Sequence, residues 1–174
     1  MAPDSLGYPD SPVYSDSLTH TLVDSPIGPL TLVATSAGLS GVYLAEHRHG
    51  PDPSQLGTRD DTGFGPASAQ LAEYFRGERS RFDLPLSPRG TPFQRRVWEL
   101  LATVPYGRTW TYRQLAEAAG KPTAVRAVAS ANARNPLSIV VPCHRVVGSD
   151  GSLTGYAGGL ARKRFLLDLE GSAT

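Results

Sequence analysis

The sequence predicts an α/β (α+β) chain: a small sheet-plus-helix unit first, then a mostly helical unit carrying a helix-turn-helix. Three observations predict this. Apolar residues alternate on both sides of a Ser-Ala-Gly turn near residue 37. Two Thr-x-x-Gln sequences precede apolar runs in the second half. Two short helical patterns meet at Gly120 with almost no loop between them.

The elements follow in order. Residues 1–17 are rich in Pro, Asp and Ser and read as a disordered tail. Ser25 to Glu46 reads as a β-hairpin: Leu30, Leu32 and Ala34 alternate with Thr31 and Val33, Ser36-Ala37-Gly38 turns, and Leu39 to Leu44 returns. His47 to Gly65 is a Gly-, Pro- and Asp-rich loop. Pro66 to Arg76 reads as a short helix with Leu71, Tyr74 and Phe75 on one face and Gly77 at its end. These place an N-terminal domain at 18–84 and a linker at 85–90, where Pro85, Pro88 and Gly90 interrupt periodicity.

The C-terminal domain, 91–174, is more strongly marked. Thr91-Pro92-Phe93-Gln94 is a capping box with Pro at the first helical position, and Phe93, Val97, Leu100, Leu101 and Val104 continue at helical spacing. Thr111 to Gln114 is a second capping box. Two helices at 111–119 and 122–133, joined through Gly120, form the helix-turn-helix outline. The second is slim: Ala124, Ala127, Ala129, Ala131 and Ala133 recur, while Arg126, Ser130 and Arg134 share one face. Such a helix can lie against a nucleic-acid backbone, or equally pack in a core with its arginines solvated. Ser138 to Val141 reads as an apolar strand running into Pro142-Cys143-His144-Arg145. Gly155, Gly158 and Gly159 surround Tyr156 in a loop. Leu160 to Glu170 is a final helix with Ala161, Phe165 and Leu169 at i, i+4 and i+8.

Composition excludes several function classes. At 174 residues, 40% hydrophobic and 19% charged, the chain can build a core. No apolar run reaches the length of a membrane span, and the N-terminus has no apolar signal core. A single cysteine, Cys143, excludes an internal disulfide and any multi-cysteine zinc site; no metal is expected, and a cytoplasmic, reducing location is. The near-zero net charge conceals segregation. Residues 1–87 hold 5 Lys+Arg and 11 Asp+Glu, net −6; residues 88–174 hold 12 and 5, net +7. A basic half suggests a polyanionic partner.

Cys143 carries the chemistry. A lone cysteine after an apolar run is most often an inert core residue. Here His144 and Arg145 are adjacent, and a neighbouring base or cation lowers a thiol pKa and activates the nucleophile. Glu170 sits in the last turn of a helix, the negative end of its dipole, where a carboxylate is locally unfavourable. It is either an ordinary exposed glutamate or the third member of a relay that orients His144.

Val140 to Val147, with Pro142-Cys143-His144-Arg145 at its centre, resembles the active-site signature of the O6-alkylguanine-DNA alkyltransferases, the methylated-DNA–protein-cysteine methyltransferases. Asn135-Pro136 resembles that family's asparagine hinge. Thr111 to Ala116 and Ala124 to Val128 resemble its helix-turn-helix, Gly155 to Gly159 its pocket loop, and Leu166 to Gly171 its closing helix. Asp24 to Leu30 resembles the start of the bacterial N-terminal domain, which has a ribonuclease-H-like fold.

The resemblance implies a DNA-repair protein that flips O6-alkylguanine from the duplex and transfers the alkyl group irreversibly to its own Cys143. His144, through a water, deprotonates Cys143, and Glu170 polarises His144. Arg126 fills the vacated stack, Tyr112 rotates the phosphate and protonates the base, and Ala127, Ser130 and Arg134 complete the DNA face. Asn135 is the structural hinge. Tyr112, Val146, Tyr156 and Ala157 form the substrate pocket, with the carbonyls of Cys143 and Val146 facing the guanine amino group and the Ala157 N–H facing O6. No cofactor is needed. The partners are double-stranded DNA, gripped through the minor groove, and the alkylated guanine, with no membrane. A monomer is expected in solution, with cooperative assembly on DNA left open. The alternatives are a catalytically silent alkyl-damage-binding protein, a helix-turn-helix regulator and a cysteine hydrolase.

Overall fold

A computed structural model describes residues 17–171; residues 1–16, nearly all of the segment read as a tail, and 172–174 lie outside the described residues. The elements of the first half are β1 (Thr19–Val23), β2 (Leu30–Thr35), β3 (Gly38–Leu44), β4 (Thr58–Arg59) and α1 (Gly65–Phe75). The sheet order is β3-β2-β1-β4, antiparallel except for the parallel β1/β4 pair. The hairpin expected over 25–46 is thus β2 and β3. Strand β1 has no counterpart in the sequence reading, and β4 corrects it: Thr58–Arg59, inside the segment read as a loop over 47–65, pairs in parallel with β1. β1 has a polar-rich sequence, Thr-His-Thr-Leu-Val, and is a strand because β2 pairs along its whole length. Helix α1 buries Ala67, Leu71 and Tyr74. It ends in a Schellman motif: Glu78 donates to the Glu73 carbonyl at 2.9 Å and Gly77 to that of Tyr74 at 3.0 Å. Gly77 supplies the required φ of +74°.

The second half contains α2 (Pro92–Leu101), β5 (Trp110–Thr111), α3 (Tyr112–Ala118), α4 (Val125–Ala133), β6 (Val146–Val147) and α5 (Leu160–Leu169). Both capping boxes form: Thr91 Oγ1 accepts the Gln94 N–H at 3.1 Å and Thr111 Oγ1 that of Gln114 at 3.0 Å, with each Gln side chain bonding back. Helix α3 ends as α1 does, with Lys121 donating to the Ala116 carbonyl and Gly120 at φ +71°. The short strands β5 and β6 pair in parallel. The Trp98 indole donates to the Ala131 carbonyl at 2.8 Å, fastening α2 to α4.

Three further local expectations are corrected. Helix α4 starts at Val125 rather than at Pro122, because Ala124 donates to the Lys121 carbonyl and closes a turn around Pro122; proline presets φ for a turn as well as for a helix start. Ser138–Val141 is not a strand. It is a buried double turn in which Val141 donates to the Leu137 carbonyl at 2.8 Å and Ile139 sits at φ +73°, a conformation tertiary contacts impose on a β-branched residue. In α5 the buried face is Lys163, Leu166 and Leu167, not Ala161, Phe165 and Leu169; Phe165 is exposed.

One hydrophobic core spans both halves, running from Leu30, Leu32 and Val42 through Leu71 to Val97, Leu115, Val128, Ile139 and Leu166. The outer edge of the sheet, β3, is closed by later segments. Leu39 donates to the Pro85 carbonyl at 2.9 Å, Ser87 to that of Leu39, and Val42 to the Pro136 carbonyl at 2.8 Å. The residues read as a linker therefore pair with β3. Among the described residues, no helix is long and apolar enough to cross a membrane.

Candidate active site

Cys143, His144 and Arg145 form one turn of 3-10 helix directly after Pro142, and all three are buried. That turn, absent from a strand, rotates His144 and Arg145 inward together. His144 Nε2 lies 2.8 Å from Glu170 Oε2. Arg145 donates through Nε to Glu170 Oε1 at 2.7 Å, through Nη2 to Oε2 at 3.1 Å, and through Nη1 to the Val104 carbonyl at 2.7 Å. Tyr74, reaching across from α1, donates its hydroxyl to the same Oε2 at 2.7 Å.

Glu170 is therefore no surface residue; it is 5% exposed and receives donors from three directions. Burial alone would raise its carboxyl pKa, but the bonds and charges of His144 and Arg145 outweigh that and hold it at about 2. An ionised carboxylate only accepts, so His144 carries its proton on Nε2. Burial pushes the His144 pKa down, the Glu170 bond and charge pull it up without cancelling that, and Arg145 and Lys163 lower it further, so the ring is neutral. Its Nδ1 is then a lone-pair acceptor, buried with no hydrogen-bond partner among the described residues. The permanent counter-charge to Glu170 is Arg145.

The expected lowering of the Cys143 pKa is not found at rest. Burial pushes the thiol up, and the Asn135 side chain, the Lys163 charge and the backbone N–H groups of Cys143 and His144 only partly oppose it. Arg145, expected to assist the thiol, points to Glu170 instead. The protein thus holds a neutral thiol beside a neutral base.

Asn135 follows Arg134, the C-cap of α4. Its Nδ2 donates to the Val141 carbonyl at 2.8 Å and its Oδ1 accepts the Leu137 N–H at 3.0 Å. The end of α4 and the approach to Cys143 are thereby one hydrogen-bonded unit. Arg126, Ala127, Ser130 and Arg134 are all exposed on α4. A cleft of about 360 Å³ opens between α4 and the loop before Tyr156, lined by Tyr112, Arg126, Ala129, Ala133, Thr154 and Gly155. Tyr112, at the start of α3, donates to the Thr154 carbonyl at 2.9 Å. Val146 is fully buried, and Tyr156 is half-buried with its hydroxyl lacking a partner among the described residues. The Ala157 carbonyl accepts the Arg48 N–H at 2.9 Å, tying the pocket loop to the first half. The carbonyls of Cys143 and Val146 each already accept one bond, from the Val146 N–H and from Lys163 Nζ, leaving one lone pair apiece.

Two residues of this site escaped the sequence reading. Lys163 is completely buried, with Nζ donating to the carbonyls of Val146 at 2.6 Å, Thr154 at 2.9 Å and Gly155 at 3.3 Å. Burial lowers its pKa to about 8, against a raising effect from Cys143. Its signal was available: Lys163, Leu166, Leu167 and Glu170 share one helical face, with charge at both ends of an apolar stripe. The other is Tyr74, read only as an apolar position although a buried phenol needs a partner. Among the described residues, no three His, Cys, Asp or Glu side chains are grouped to hold a metal ion.

Residues 92–172 match the family described as "6-O-methylguanine DNA methyltransferase, DNA binding domain", and residues 18–88 match "6-O-methylguanine DNA methyltransferase, ribonuclease-like domain". A methylated-DNA–protein-cysteine methyltransferase of Mycobacterium tuberculosis is 49% identical over 153 residues, covering 88% of this chain and 92% of that one. Its counterpart in Methanosarcina acetivorans is 46% identical over 153 residues, covering 88% and 98%. Among solved structures, Mycobacterium tuberculosis OGT in complex with DNA matches with TM-score 0.83 and 47% identity over 89% of this chain and 94% of that one. The O6-methylguanine-DNA methyltransferase of Pyrococcus kodakaraensis matches with TM-score 0.61 and 29% identity, over 88% and 99%.

Proposed function

The chain belongs to the 6-O-methylguanine DNA methyltransferase family, DNA-repair proteins that move an alkyl group from DNA to a protein cysteine, and we propose that Cys143 is the acceptor in this one. One observation carries the assignment: Cys143 is the only cysteine of the 174 residues. Its neighbour His144 has one ring nitrogen committed to Glu170 and the other unpartnered among the described residues, as a base requires.

The chemistry follows from these groups. His144 Nδ1 takes the Cys143 proton through a bridging water, and the Glu170 carboxylate, held in place by Arg145, steadies the imidazolium. The thiolate attacks the alkyl carbon in line. The C–O6 bond breaks, its electron pair goes to guanine, and Tyr112 delivers a proton to the base and recovers one, through solvent, from the His144 imidazolium. A thioether forms, which water does not cleave, so each molecule reacts once. No cofactor takes part in this scheme. The neutral resting thiol fits it, since a standing thiolate would invite adventitious oxidation whenever the pocket opens.

Guanine within a duplex is beyond the reach of a buried cysteine, so the base is flipped at a cost of a few kcal/mol. Arg126 occupies the vacated stack, while Ala127, Ser130 and Arg134 lie along the backbone. The alanines make α4 slim enough for the minor groove, where lesion repair needs no base-specific reading. The cleft beside Tyr112 and Gly155 admits the base towards Val146, Tyr156 and Ala157, and Asn135 keeps α4 and Cys143 in register. Every group named comes from one chain, so a monomer suffices; cooperative assembly would show as a sigmoidal titration on long duplexes. Affinity should fall as salt rises.

The test is intact and peptide mass after mixing with excess duplex carrying one O6-methylguanine. One methyl per chain, on the Cys143 peptide, is expected. No added mass with the duplex still bound would make this a catalytically silent damage-binding protein. Cys143→Ala should abolish transfer and leave DNA binding intact.

A further inference from the structure

We propose that Tyr74, a residue of the first half, is a positioning residue for the transfer reaction, its hydroxyl holding the Glu170 carboxylate in the orientation that serves His144. The proposal rests on the relay of Cys143, His144 and Glu170 described above.

The argument begins with competition for Glu170. Arg145 approaches with Nε on Oε1 and Nη2 on Oε2, at 2.7 and 3.1 Å. A guanidinium prefers a planar, two-toothed grip on a carboxylate, and that grip by itself has no reason to leave an oxygen aimed at His144. Tyr74 supplies the reason. Its hydroxyl reaches Oε2 at 2.7 Å, the oxygen that His144 Nε2 meets at 2.8 Å. Oε2 thus has a second, neutral donor besides His144, and the longer of the two Arg145 bonds is the one to Oε2.

Tyr74 is built for the task. Its side chain is fully buried on α1. Its ring meets Phe75 edge-on at 5.4 Å, Phe82 at 5.5 Å and Tyr106 edge-on at 6.4 Å, so the rotamer is fixed by packing before the bond forms. Burial first, then the charge and bond of Glu170, push its ionisation far above the ordinary phenol range, so it donates at every working pH. A phenol needing only satisfaction could have bonded a carbonyl. This one crosses 96 positions of sequence to the carboxylate of the relay.

Removing the hydroxyl while keeping the ring has a signed consequence. The charged and titratable groups around the relay are Arg145 and His144 on the 3-10 turn, Lys163 and Glu170 from α5 and its end, Cys143, Tyr112 on α3, Tyr156 on the pocket loop, and Tyr106 with Tyr74 itself. Only the Tyr74 donor is lost in Tyr74→Phe. Glu170 then has one donor fewer, its negative charge bears more fully on His144, and protonation of either group becomes easier. The acid limb of the transfer rate therefore moves to higher pH.

The experiment measures single-turnover transfer from free O6-benzylguanine against pH, for the wild-type full chain and Tyr74→Phe, with the adduct located by peptide mass. The free base removes DNA binding from the readout. We expect transfer near neutral pH about tenfold slower, the scale of a lost hydrogen bond to a charged group, and an acid limb displaced upward. Histidine 15N spectra should show His144 protonating at higher pH in the variant. 3-Fluorotyrosine at position 74, a stronger donor in the same packing, should move the limb downward. Superimposable pH profiles with the adduct on Cys143 in both proteins overturn the proposal and leave the relay standing. A uniform rate loss with no displacement of the limb or of the His144 titration assigns Tyr74 a packing role and overturns it too. An adduct on a residue other than Cys143 in the wild-type protein removes the relay and the proposal with it.

Discussion

Residues 1–87 carry a net charge of −6, and their described part, 17–87, is organised by strand pairing; residues 88–174 carry +7, and their described part, 88–171, is organised by helices, caps and side-chain bonds. In the first half, β1 and β2 match register along the full length of β1, and the packing side chains are apolar, aliphatic on the strands with Phe64 and Tyr74 beside them. In the second half, buried polar groups do much of the fixing: Asn135, His144, Arg145, Lys163 and Glu170 are all buried. The two kinds of interior suit two kinds of work. An apolar core tolerates small shifts, whereas a bonded polar cluster fixes orientations to within a hydrogen bond's geometry, which a reaction centre requires. The first half enters that cluster at one point of hydroxyl chemistry, Tyr74.

Substitutions in each half put this contrast to the test. The largest expected effect is in the polar cluster. Glu170→Gln leaves the buried Arg145 guanidinium without its counter-charge and should cost about 3–5 kcal/mol of stability by urea titration, together with transfer. The carboxyl sits at about 2 in the folded protein against 4.5 for an ordinary glutamate, so its stabilisation is complete above 4.5 and is lost as pH falls towards 2. The variant should flatten the stability profile across that window; an unchanged profile would show the pair to be idle. Next comes the apolar half. Leu71→Ala, at a site 2% exposed, should cost about 3 kcal/mol yet leave transfer from O6-benzylguanine per folded molecule unchanged. Loss of chemistry there would erase the division of labour.

Arg126→Ala is smaller in energy and sharper in meaning. Transfer from duplex DNA should fall about 10- to 100-fold, equivalent to about 1.4–2.7 kcal/mol, while transfer from the free base holds. Equal losses on both substrates would remove the flipping role. The smallest effect expected is Thr111→Ala. Loss of the cap on α3 should cost about 1 kcal/mol and loosen Tyr112, the first residue of that helix, against the loop carbonyl it bonds.

Legibility in the sequence divided along the same line. Caps and glycine stops are local chemistry, so Thr91, Thr111, Gly77 and Gly120 could be read one by one. Strands β1 and β4 could not, because their partners are supplied from elsewhere in the chain. Ser138–Val141 misled for a related reason: β-branched residues favour strands, yet Asn135 and the core bend this segment into turns, with Ile139 left-handed. The Cys143–His144–Glu170 set was legible through its neighbours' resemblance to a family signature. Spacing alone would not have joined residues 26 apart, still less Tyr74 at 96. The activation state of Cys143 was read in the wrong direction because adjacency reveals neighbours and not burial.

The closed edge of β3 has a consequence for anyone dividing the chain. A cut near residue 88 falls in what sequence marks as a boundary, but it separates Pro136 from the Val42 N–H it accepts. The first fragment would present an unprotected strand edge, which invites pairing with other copies, and should be recovered as aggregate. The second would expose the core face that covers that edge. Co-expressed as separate pieces, the two should find each other through that edge and through Tyr74, giving a split protein whose reassembly is read by labelling of a single cysteine.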